Sequence, residues 1–348
     1  MVNNIHRTYR KKFALLILGL LLLAATIPAM ALEGMPLSVH FVDVGQGDSI
    51  LIQGPDGATA LIDGGNSNGE ALAYLQRLGI SQLDIVLLTH PHADHVGGLV
   101  AVMEALPVGG VWTSGAYNTT GIFEQFLDVI EKEKIPYHEV KTGETIYLGR
   151  LQLEVLYSEP EGRSLNDTSI VLRVAYGEVV FLLMGDAETS TEAKLLQIKP
   201  TQLRATVLKV GHHGSSTSSS TAFLDAVRPT IAVYSAGARN QYGHPHDSVI
   251  SRLKAIGATI YGTDVDGSIL VTTDGMVYEV ETNKGAILSI APPVSATLPY
   301  DPAGPDRDCG NFKTHAEAQA FFIAAGGPAH DPHRLDGDND GIACESLP

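Results

Sequence analysis

The sequence predicts an α+β fold in which two packed β-sheets are flanked by helices. Short apolar runs typical of strands outnumber the helical stretches along the chain. Several neighbouring runs are joined by brief turns, such as GPDGA at 54–58 and TTDGM at 272–276, which is typical of antiparallel hairpins. A doubly wound parallel sheet, in which strands and helices alternate, is therefore a poor fit.

The predicted elements follow one another between residues 37 and 282. Short or alternating apolar runs predict strands at 37–44, 48–53, 58–63, 84–90, 168–176, 178–186, 205–211, 230–237, 258–264, 268–273 and 276–282. Helical spacing of apolar residues predicts helices near 70–78, 122–134, 188–198, 219–227 and 247–256. Because the sequence contains no internal repeat, we expect one large domain over residues 35–284.

The N-terminus has the pattern of a signal peptide over residues 1–31. Basic residues between Arg7 and Lys12 precede an apolar run at 13–27, and Ala29 and Ala31 supply small residues at a cleavage position. We expect cleavage after Ala31, which would leave a secreted or cell-surface chain without a membrane span. The alternative is an uncleaved N-terminal anchor, although the run is short for a span of ~20 residues.

The chain is acidic, and this property limits its possible partners. Its formal net charge is −16, and residues 32–300 carry 30 acidic against 16 basic side chains. Proteins that bind nucleic acid through a broad surface usually present a basic face to the phosphates. Any nucleic-acid substrate must therefore be held by a few local contacts or by bound metal ions.

The predicted strand at 84–90 runs into a dense group of metal-binding side chains. His90, His92, Asp94 and His95 lie within six residues, a density that a packed core rarely tolerates. On an extended segment His90 and His92 point to one side and can hold one ion, while Asp94 and His95 reach a second. Imidazole and carboxylate ligands suit two divalent transition metals, zinc or manganese. Two such ions roughly 3.5–4 Å apart can supply hydroxide at neutral pH and clamp an in-line displacement.

Further strand ends offer side chains that could complete this site. Asp186 follows an apolar strand and could bridge the two ions, although an Asp there could equally cap the next helix. His212 and His213 follow another strand, and His213 is our candidate ligand for the second ion, with the choice between the two left open. Asp63 ends a third strand and is expected to orient a histidine ligand through its ring N–H.

The stretch NQYGHPH at 240–246 could hang over the metal ions. A histidine can protonate a leaving oxygen near neutral pH, so His244 is our candidate for a general acid or a phosphate contact. Asp94 is the second catalytic candidate, and the alternative for 240–246 is a Gly/Pro turn with histidines in solvent. We expect Lys209 to face solvent and residues 43–48 to form a tight turn between two strands.

The order of these motifs resembles the metallo-β-lactamase superfamily. Asp63, the HPHADH stretch at 90–95, Asp186 and the HHGS stretch at 212–215 follow one another as in that superfamily. FVDVGQGDSILIQ, NDTSIVLRV, LKVGHHGSSTS and NQYGHPH are similar to the hydrolase domain of the ComEC-type competence proteins, over about residues 37–283. The resemblance implies an αββα four-layer sandwich with metals at the sheet edge, a nuclease that acts on DNA during uptake, and a place for residues 43–48 at the site rim.

Two features depart from that family. The superfamily supplies a third histidine to the first metal before the bridging Asp, whereas this chain offers Asn166, a weaker ligand that we assign to the site in its place. His138 is the only histidine in that interval, and it lies too early. The competence proteins also carry membrane-spanning channel segments, so we expect a free-standing, secreted relative for which a direct role in DNA import does not follow.

A proline-rich, nearly charge-free stretch predicts a linker at 285–305, before a small module at 306–348. Alternating acids before a glycine are typical of a calcium loop, and the candidate ligands are Asp336, Asp338, Asp340, the carbonyl of Ile342, and Glu345. A solvated acidic tail is the alternative. Residues 306–346 resemble the excalibur calcium-binding domain of bacterial extracellular proteins, which implies a disulfide between Cys309 and Cys344.

These features predict a secreted metal-dependent hydrolase, most directly a phosphodiesterase or nuclease that cleaves DNA through a metal-bridged hydroxide. The same scaffold could instead hydrolyse a lactam, a lactone, a thioester or another phosphoester, because a fold does not fix the substrate. A calcium-dependent cell-surface binding protein with a vestigial metal site is the alternative from a different class. The calcium module could serve stability or attachment to the cell wall, and the oligomeric state stays open.

Overall fold

The structure is a computed structural model that describes residues 35–284, 288–290, 300–302, 304–325, 332–337, 343, 344 and 347. The predicted signal peptide and most of the predicted linker lie outside the described residues. So do four candidate calcium ligands: Asp338, Asp340, Ile342 and Glu345. Among the described residues, no helix has the length and apolar character needed to cross a membrane.

The secondary-structure elements follow the chain in a mixed order. The strands are β1 (Leu37–Phe41), β2 (Ile50–Gln53), β3 (Thr59–Ile62), β4 (Ile85–Leu88), β5 (Val111–Thr113), β6 (Tyr137–Glu139), β7 (Thr145–Leu148), β8 (Leu151–Tyr157), β9 (Val171–Tyr176), β10 (Val179–Leu183), β11 (Val207–Lys209), β12 (Ile231–Tyr234), β13 (Thr259–Gly262), β14 (Ile269–Thr273), β15 (Tyr278–Thr282) and β16 (Leu288–Ile290). The helices are α1 (Glu70–Arg77), α2 (Ala93–Ala105), α3 (Gly121–Glu133), α4 (Thr189–Ile198), α5 (Thr221–Val227), α6 (Asp247–Ala255), α7 (Thr263–Asp266) and α8 (His315–Ala325).

The strands form two mixed sheets. From edge to edge, the first sheet runs β16-β15-β14-β1-β2-β3-β4-β5-β6, and the second runs β13-β12-β11-β10-β9-β8-β7. The neighbours from β3 to β6 and from β10 to β13 are parallel, whereas the other neighbours are antiparallel. The two hairpins that the turn sequences predicted, β2–β3 and β14–β15, both lie in the antiparallel part of the first sheet.

The packing confirms the four-layer αββα sandwich. In β4, Ile85 and Leu87 pack between the two sheets, whereas Val86 and Leu88 pack against helices α1, α2 and α3. On the opposite side of the sandwich, Leu182 of β10 packs with residues of α4, α5 and α6. Both faces of these strands are buried, which explains why they appear in the sequence as continuous apolar runs.

Strands β5 to β8 lie in a region where the sequence analysis predicted none. β5 and β6 have three residues each and end the first sheet, and β6 is exposed throughout, so an apolar pattern is missing there. The hairpin of β7 and β8 ends the second sheet. The strand predicted at 258–264 stops at Gly262, because residues 263–266 turn into the short helix α7.

The C-terminal residues that the structure describes have a small core of their own. Its buried apolar side chains are Phe312, Ala318, Phe321, Phe322, Leu335 and Ala343. Cys309 and Cys344 form the expected disulfide, with their Cα atoms 5.4 Å apart. Asp336, a candidate calcium ligand, is 7% exposed, so its carboxylate belongs to this folded region and not to a solvated tail.

Candidate metal centre

The candidate metal centre lies at one edge of the sandwich, where strands of both sheets end. Asp63 and His90 follow the parallel neighbours β3 and β4 of the first sheet. Asp186 and the turn at 211–214 follow the parallel neighbours β10 and β11 of the second sheet. The carboxyl ends of parallel strands meet at the same edge of a sheet. Both sheets therefore contribute side chains to the centre.

The loop that carries the histidine cluster is packed against residues 43–48. His92 has an extended backbone and directly precedes α2, so Asp94 and His95 occupy the first turn of that helix. Gly47 has a φ of +131°, and a Cβ atom there would lie 2.2 Å from the carbonyl oxygen of Asp94. Only glycine permits this approach. Residues 43–48 thus support the metal-binding turn in addition to joining two strands.

We call Asp94, His95 and His213 the second half of the centre. His95 Nε2 and His213 Nε2 lie 3.3 Å and 3.4 Å from the same oxygen of Asp186, Oδ1. His213 Nε2 also lies 3.3 Å from Asp94 Oδ2. The side chains of His95, His213 and Asp186 are at most 2% exposed, so these charges interact with little screening by water.

We call His90 and His92 the first half of the centre. The Nε2 atom of His90 lies 2.9 Å from Nδ1 of His92 and 3.7 Å from Asp186 Oδ2. Two further groups border it: His212 Nε2 is 3.9 Å from Asp186 Oδ2, and Asn166 Oδ1 is buried with no hydrogen bond to any described residue. Asp186 therefore turns one carboxylate oxygen toward each half.

The backbone at 212 and 213 sends neighbouring histidines to different halves. Both residues adopt left-handed conformations, with φ of +46° and +54°, which cost roughly 1–2 kcal/mol per residue outside glycine. In this conformation His212 faces Oδ2 of Asp186, whereas His213 faces Oδ1. His213 thus belongs to the second half, and His212 borders the first.

These donors fit two divalent ions. The side chains form two sets of potential ligands, and the ligand atoms within each set lie within 4.8 Å of one another. The first set is His90, His92 and Asp186, and the second is Asp94, His95 and His213. The atoms His95 Nε2, His213 Nε2 and Asp186 Oδ1 are buried and make no hydrogen bond to a described residue. Buried polar atoms are nearly always paired in native proteins. Their convergence on one point fits the chemistry of metal ligands.

Buried partners hold the outer ring nitrogens of the second-half histidines. His95 Nδ1 lies 2.7 Å from Asp63 Oδ2, and Asp63 also accepts hydrogen bonds from the backbone N–H and the hydroxyl of Thr89. His213 Nδ1 lies 2.9 Å from the carbonyl oxygen of Ser235 and 3.2 Å from Asp48 Oδ1. Such partners fix the orientation of a metal-binding imidazole and make it a stronger ligand.

Lys209 is completely buried, so the expectation that it faces solvent was wrong. Its Nζ lies 2.8 Å from Asp48 Oδ2 and donates a hydrogen bond to the carbonyl of Val210. β11 lies inside the second sheet and is buried on both faces, so its lysine cannot reach water. The carboxylate of Asp48 supplies the opposite charge that a buried ammonium requires.

Protonation states differ between the two halves. Burial holds the pKa of His90 well below its ordinary value and lowers the pKa of His92. Burial acts in the same direction on His95 and His213, but the combined charges and hydrogen bonds of Asp186 and the other neighbouring carboxylates outweigh it and raise the pKa of both well above the ordinary value. In the metal-free chain at neutral pH, the first-half histidines are therefore neutral and the second-half histidines are imidazolium ions.

His244 lies over the opening of the centre. Its ring centroid is 5.5 Å from that of His212 and 6.0 Å from that of His213. Burial, followed by the charges of His213 and His212, lowers the pKa of His244 to about 4. The ring is neutral at neutral pH, so it can donate a hydrogen bond to an anion but carries no extra proton to release. This favours the phosphate contact over the general acid among the roles expected for His244.

The structure brings together the metal-site candidates named from the sequence: His90, His92, Asp94, His95, Asp186 and His213, bordered by Asp63, Asn166 and His212. His138 lies elsewhere, on β6, where its ring stacks on Trp112. The family resemblance placed Asp48 only at the site rim, and no sequence pattern identified Asp48, Lys209 or Glu188 as a partner of a histidine of this centre. An acid placed directly before a buried strand was the available signal for Asp48.

Known protein families match two regions of the chain. The profile of the Metallo-beta-lactamase superfamily matches residues 42–238, and that of the Excalibur calcium-binding domain matches residues 306–345. The first profile covers the strands and turns that form the centre.

The chain is also similar to individual proteins. ComE operon protein 3 of Bacillus subtilis is 32% identical over 262 residues, which are 70% of this chain and 33% of that protein. Competence protein ComA of Neisseria gonorrhoeae is 31% identical over 65% of this chain and 31% of its own length. Ribonuclease Z of Methanopyrus kandleri is 35% identical over 103 residues, 30% of this chain and 37% of its own. The chain spans about a third of the length of these relatives.

Proposed function

The chain belongs to the metallo-β-lactamase superfamily, and on that premise we propose that it is a secreted, metal-dependent phosphodiesterase that acts as a nuclease on DNA. The observation that carries the proposal is the position of Asp186, whose two carboxylate oxygens face the two halves of the centre separately. A carboxylate placed in this way would suit two bound ions, which would supply the chemistry for displacement at phosphorus.

In this proposal each half holds one ion, zinc or manganese. His90 and His92 hold the first, and Asp94, His95 and His213 hold the second. When bound, two divalent ions supply Lewis-acid stabilisation of phosphoryl oxygens and a water-derived nucleophile at neutral pH. The orphaned oxygen of Asn166 and the Nε2 atom of His212 border the first half and can supplement its smaller ligand set.

The chain's own side chains position the phosphodiester. The cleft at the centre has a volume of about 310 Å³ and is lined by His92, Asp94, Asn166, Asp186, His212, His213 and His244, with Gln46, Ala93 and Tyr242 at its side. Among the described residues, none that lines it is a lysine or an arginine. The neutral imidazole of His244 donates its N–H to a phosphoryl or leaving oxygen. Phosphate binding therefore depends on the metal ions and on a few neutral hydrogen-bond donors.

The names of the relatives support a nucleic-acid substrate. One relative of this chain is a ribonuclease by name, and ribonucleases cleave phosphodiester bonds in RNA. DNA is the substrate that the resemblance to the competence proteins favours. Secretion is supported by the excalibur match and by the disulfide, because both are typical of extracellular proteins. Calcium bound by the C-terminal module, with Asp336 as one ligand, would stabilise the module or attach the chain to the cell wall.

The proposal is tested by incubating the purified protein with zinc or manganese and with single-stranded DNA, double-stranded DNA and methyl p-nitrophenyl phosphate. We expect cleavage of DNA and of the small diester, and loss of both in His92→Ala. The matched control is His138→Ala, since His138 is an exposed histidine on β6 outside the centre; it should retain full activity. Hydrolysis of lactams or lactones without cleavage of any phosphodiester contradicts the proposal. Failure to bind any transition metal after calcium is removed would favour the calcium-dependent binding protein.

A further inference from the structure

A second cavity opens beside the metal cleft, and we propose that it binds the base of the nucleotide next to the scissile phosphate. This inference rests on the proposed function. We call the cavity the amide pocket; it has a volume of about 430 Å³, and its principal walls are Gln46, Asn66, Asn240, Gln241 and Tyr242. Gln46, Ala93, Asp94 and Tyr242 line both cavities. A phosphate held at the metals would therefore place its neighbouring nucleoside at the pocket entrance.

The walls of the amide pocket are chemically suited to an uncharged polar ligand. Amide side chains carry a donor and an acceptor on one planar group, which matches the paired donors and acceptors on the edge of a base. Asp94 is the single charged side chain among the described residues that line it, and it is turned toward His213. A pocket without cations is unsuited to a second phosphate, so base recognition is the better fit.

Gln46 offers a hydrogen-bond donor that the protein itself leaves unused. Its Oε1 accepts a hydrogen bond from the backbone N–H of Gly237, whereas its Nε2 is buried without a hydrogen bond to any described residue. The side chain of Asn66 donates to the backbone carbonyl of Gln46 and so fixes that residue in place. An N–H group without an acceptor is costly to bury, so a small movement of the half-buried Gln46 side chain that brings this group to an acceptor in the pocket would be favourable. A base carbonyl or ring nitrogen supplies one.

Tyr242 provides a flat apolar surface at the pocket entrance. It is 55% exposed, although large aromatic side chains are usually buried. One face of the ring stacks on His244, with centroids 5.7 Å apart and planes 23° apart. The side chain of Asn240 holds this loop by accepting hydrogen bonds from the backbone N–H groups of Tyr242 and His244. These hydrogen bonds hold the backbone that carries the two rings.

Stacking explains how an acidic protein could hold an anionic polymer. A base stacked on an aromatic side chain gains roughly 1–3 kcal/mol without any positive charge on the protein. A base within a duplex cannot reach a side pocket, so it must be unstacked first. The amide pocket therefore predicts a preference for single-stranded DNA, or for frayed ends, over an intact duplex.

The test compares p-nitrophenyl phosphodiesters that differ only in their second group: thymidine, an abasic deoxyribose, or methyl. For the wild-type protein, kcat/KM should be highest with thymidine. Tyr242→Ala should lower the ratio of kcat/KM for thymidine over methyl by roughly tenfold or more, and Tyr242→Phe should preserve it. The matched control is Tyr147→Ala, because Tyr147 is 67% exposed on β7 at the far edge of the second sheet; it should change neither rate nor ratio.

The possible outcomes distinguish a failure of the proposed function from a failure of base binding in the amide pocket. If the wild type cleaves none of the three diesters, the proposed function fails. If it cleaves them but Tyr242→Ala leaves the ratio unchanged at an unaltered melting temperature, the amide pocket does not bind the base. An abasic substrate cleaved as efficiently as the thymidine one would show that the pocket binds sugar, and that result also overturns the inference.

Discussion

The second half of the metal centre is enclosed by carboxylates, whereas the first half is not. Asp48, Asp63, Asp94 and Asp186 all lie within 3.4 Å of a nitrogen of His95 or His213. In the first half, His90 lies 3.7 Å from Asp186, and the bordering His212 is paired with Glu188 at 3.1 Å, a side chain that is 24% exposed. The two histidines of the second half are therefore surrounded by carboxylates, whereas those of the first half are not.

This difference changes what each half requires before an ion binds. The neutral imidazoles of His90 and His92 are already in the form that coordinates metal, because burial lowers their pKa. The imidazolium ions of His95 and His213 must first lose their protons. The half with more ligands is thus the half whose occupancy depends more strongly on pH.

The largest expected effect is the difference in metal content and activity between alanine variants of two neighbouring residues, His213 and His212. His213→Ala should reduce the metal content from two ions per chain to one. It should also lower kcat/KM by more than roughly 100-fold, the upper end of the loss caused by removing an outer partner of a metal ligand. His212→Ala should keep two ions and lose less activity, because its ring only borders the first half. Elemental analysis and phosphodiesterase assays of both variants provide the comparison. Equal losses in the two variants would contradict the division of the centre.

The buried pair behind the second half predicts the next largest effect. Lys209→Met removes the ammonium group that pairs with Asp48 Oδ2 in a site that is 2% exposed and leaves His213 as the nearest cation to that carboxylate. This should lower the free energy of unfolding by up to about 3–5 kcal/mol. The double variant Asp48→Asn/Lys209→Met should recover part of that loss. Lys254→Met, on the exposed face of α6, is the matched control and should change stability little. Urea unfolding measures all three, and a single Lys209→Met variant of normal stability would refute the ion pair's role.

The pH dependence of metal binding should distinguish the halves directly. Raised pKa values mean that the His95 and His213 imidazolium pairs stabilise the metal-free fold fully below pH ~6.5, and that this stabilisation is lost as the pH rises through the elevated values. An ion entering the second half displaces up to two protons, so its affinity should rise by up to about 100-fold per pH unit over that range. Affinity at the first half should change little at neutral pH. Calorimetry in two buffers with different ionisation enthalpies would measure the number of protons released by each ion. If both ions released the same number of protons, the difference between the halves would be contradicted.

The smallest expected effect concerns the outer partners. Asp63→Asn weakens the hold on His95 and should lower metal affinity about 10- to 100-fold. Glu188→Gln alters a partner of His212 that water can replace, so its effect should be several times smaller. Competition with a chromogenic chelator measures both affinities. A larger effect for Glu188→Gln would show that the first half is the more tightly organised one.

The sequence was informative where function depends on neighbouring residues. The density of ligands from His90 to His95 is explained by no packing requirement, and the strand ends before Asp63, Asp186 and His213 placed further ligands at one edge. The αββα layers followed because both faces of strands such as β4 are apolar. These features are local, and each depends on few residues.

The features that the sequence did not predict depend on contacts between residues far apart in the chain, and such contacts leave no local pattern. Lys209 resembles any strand-end lysine until the packing of the second sheet against the first brings Asp48, which lies just before β2, beside it. β5 and β6 were missed because three-residue edge strands have too few buried positions to form a pattern. The unpaired Nε2 of Gln46 is visible only once the backbone of Gly237 is known to approach its other amide atom.

Because both sheets contribute candidate ligands, we expect the stability of the folded chain to depend on the supply of metal. His90, His92 and His95 follow β4 of the first sheet, and Asp186 and His213 follow β10 and β11 of the second. An ion that binds only the folded state raises the free energy of unfolding in proportion to the logarithm of its free concentration. On the proposed function, the folded state of this chain would be less stable where metal is scarce, so the supply of metal would set its stability as well as its activity.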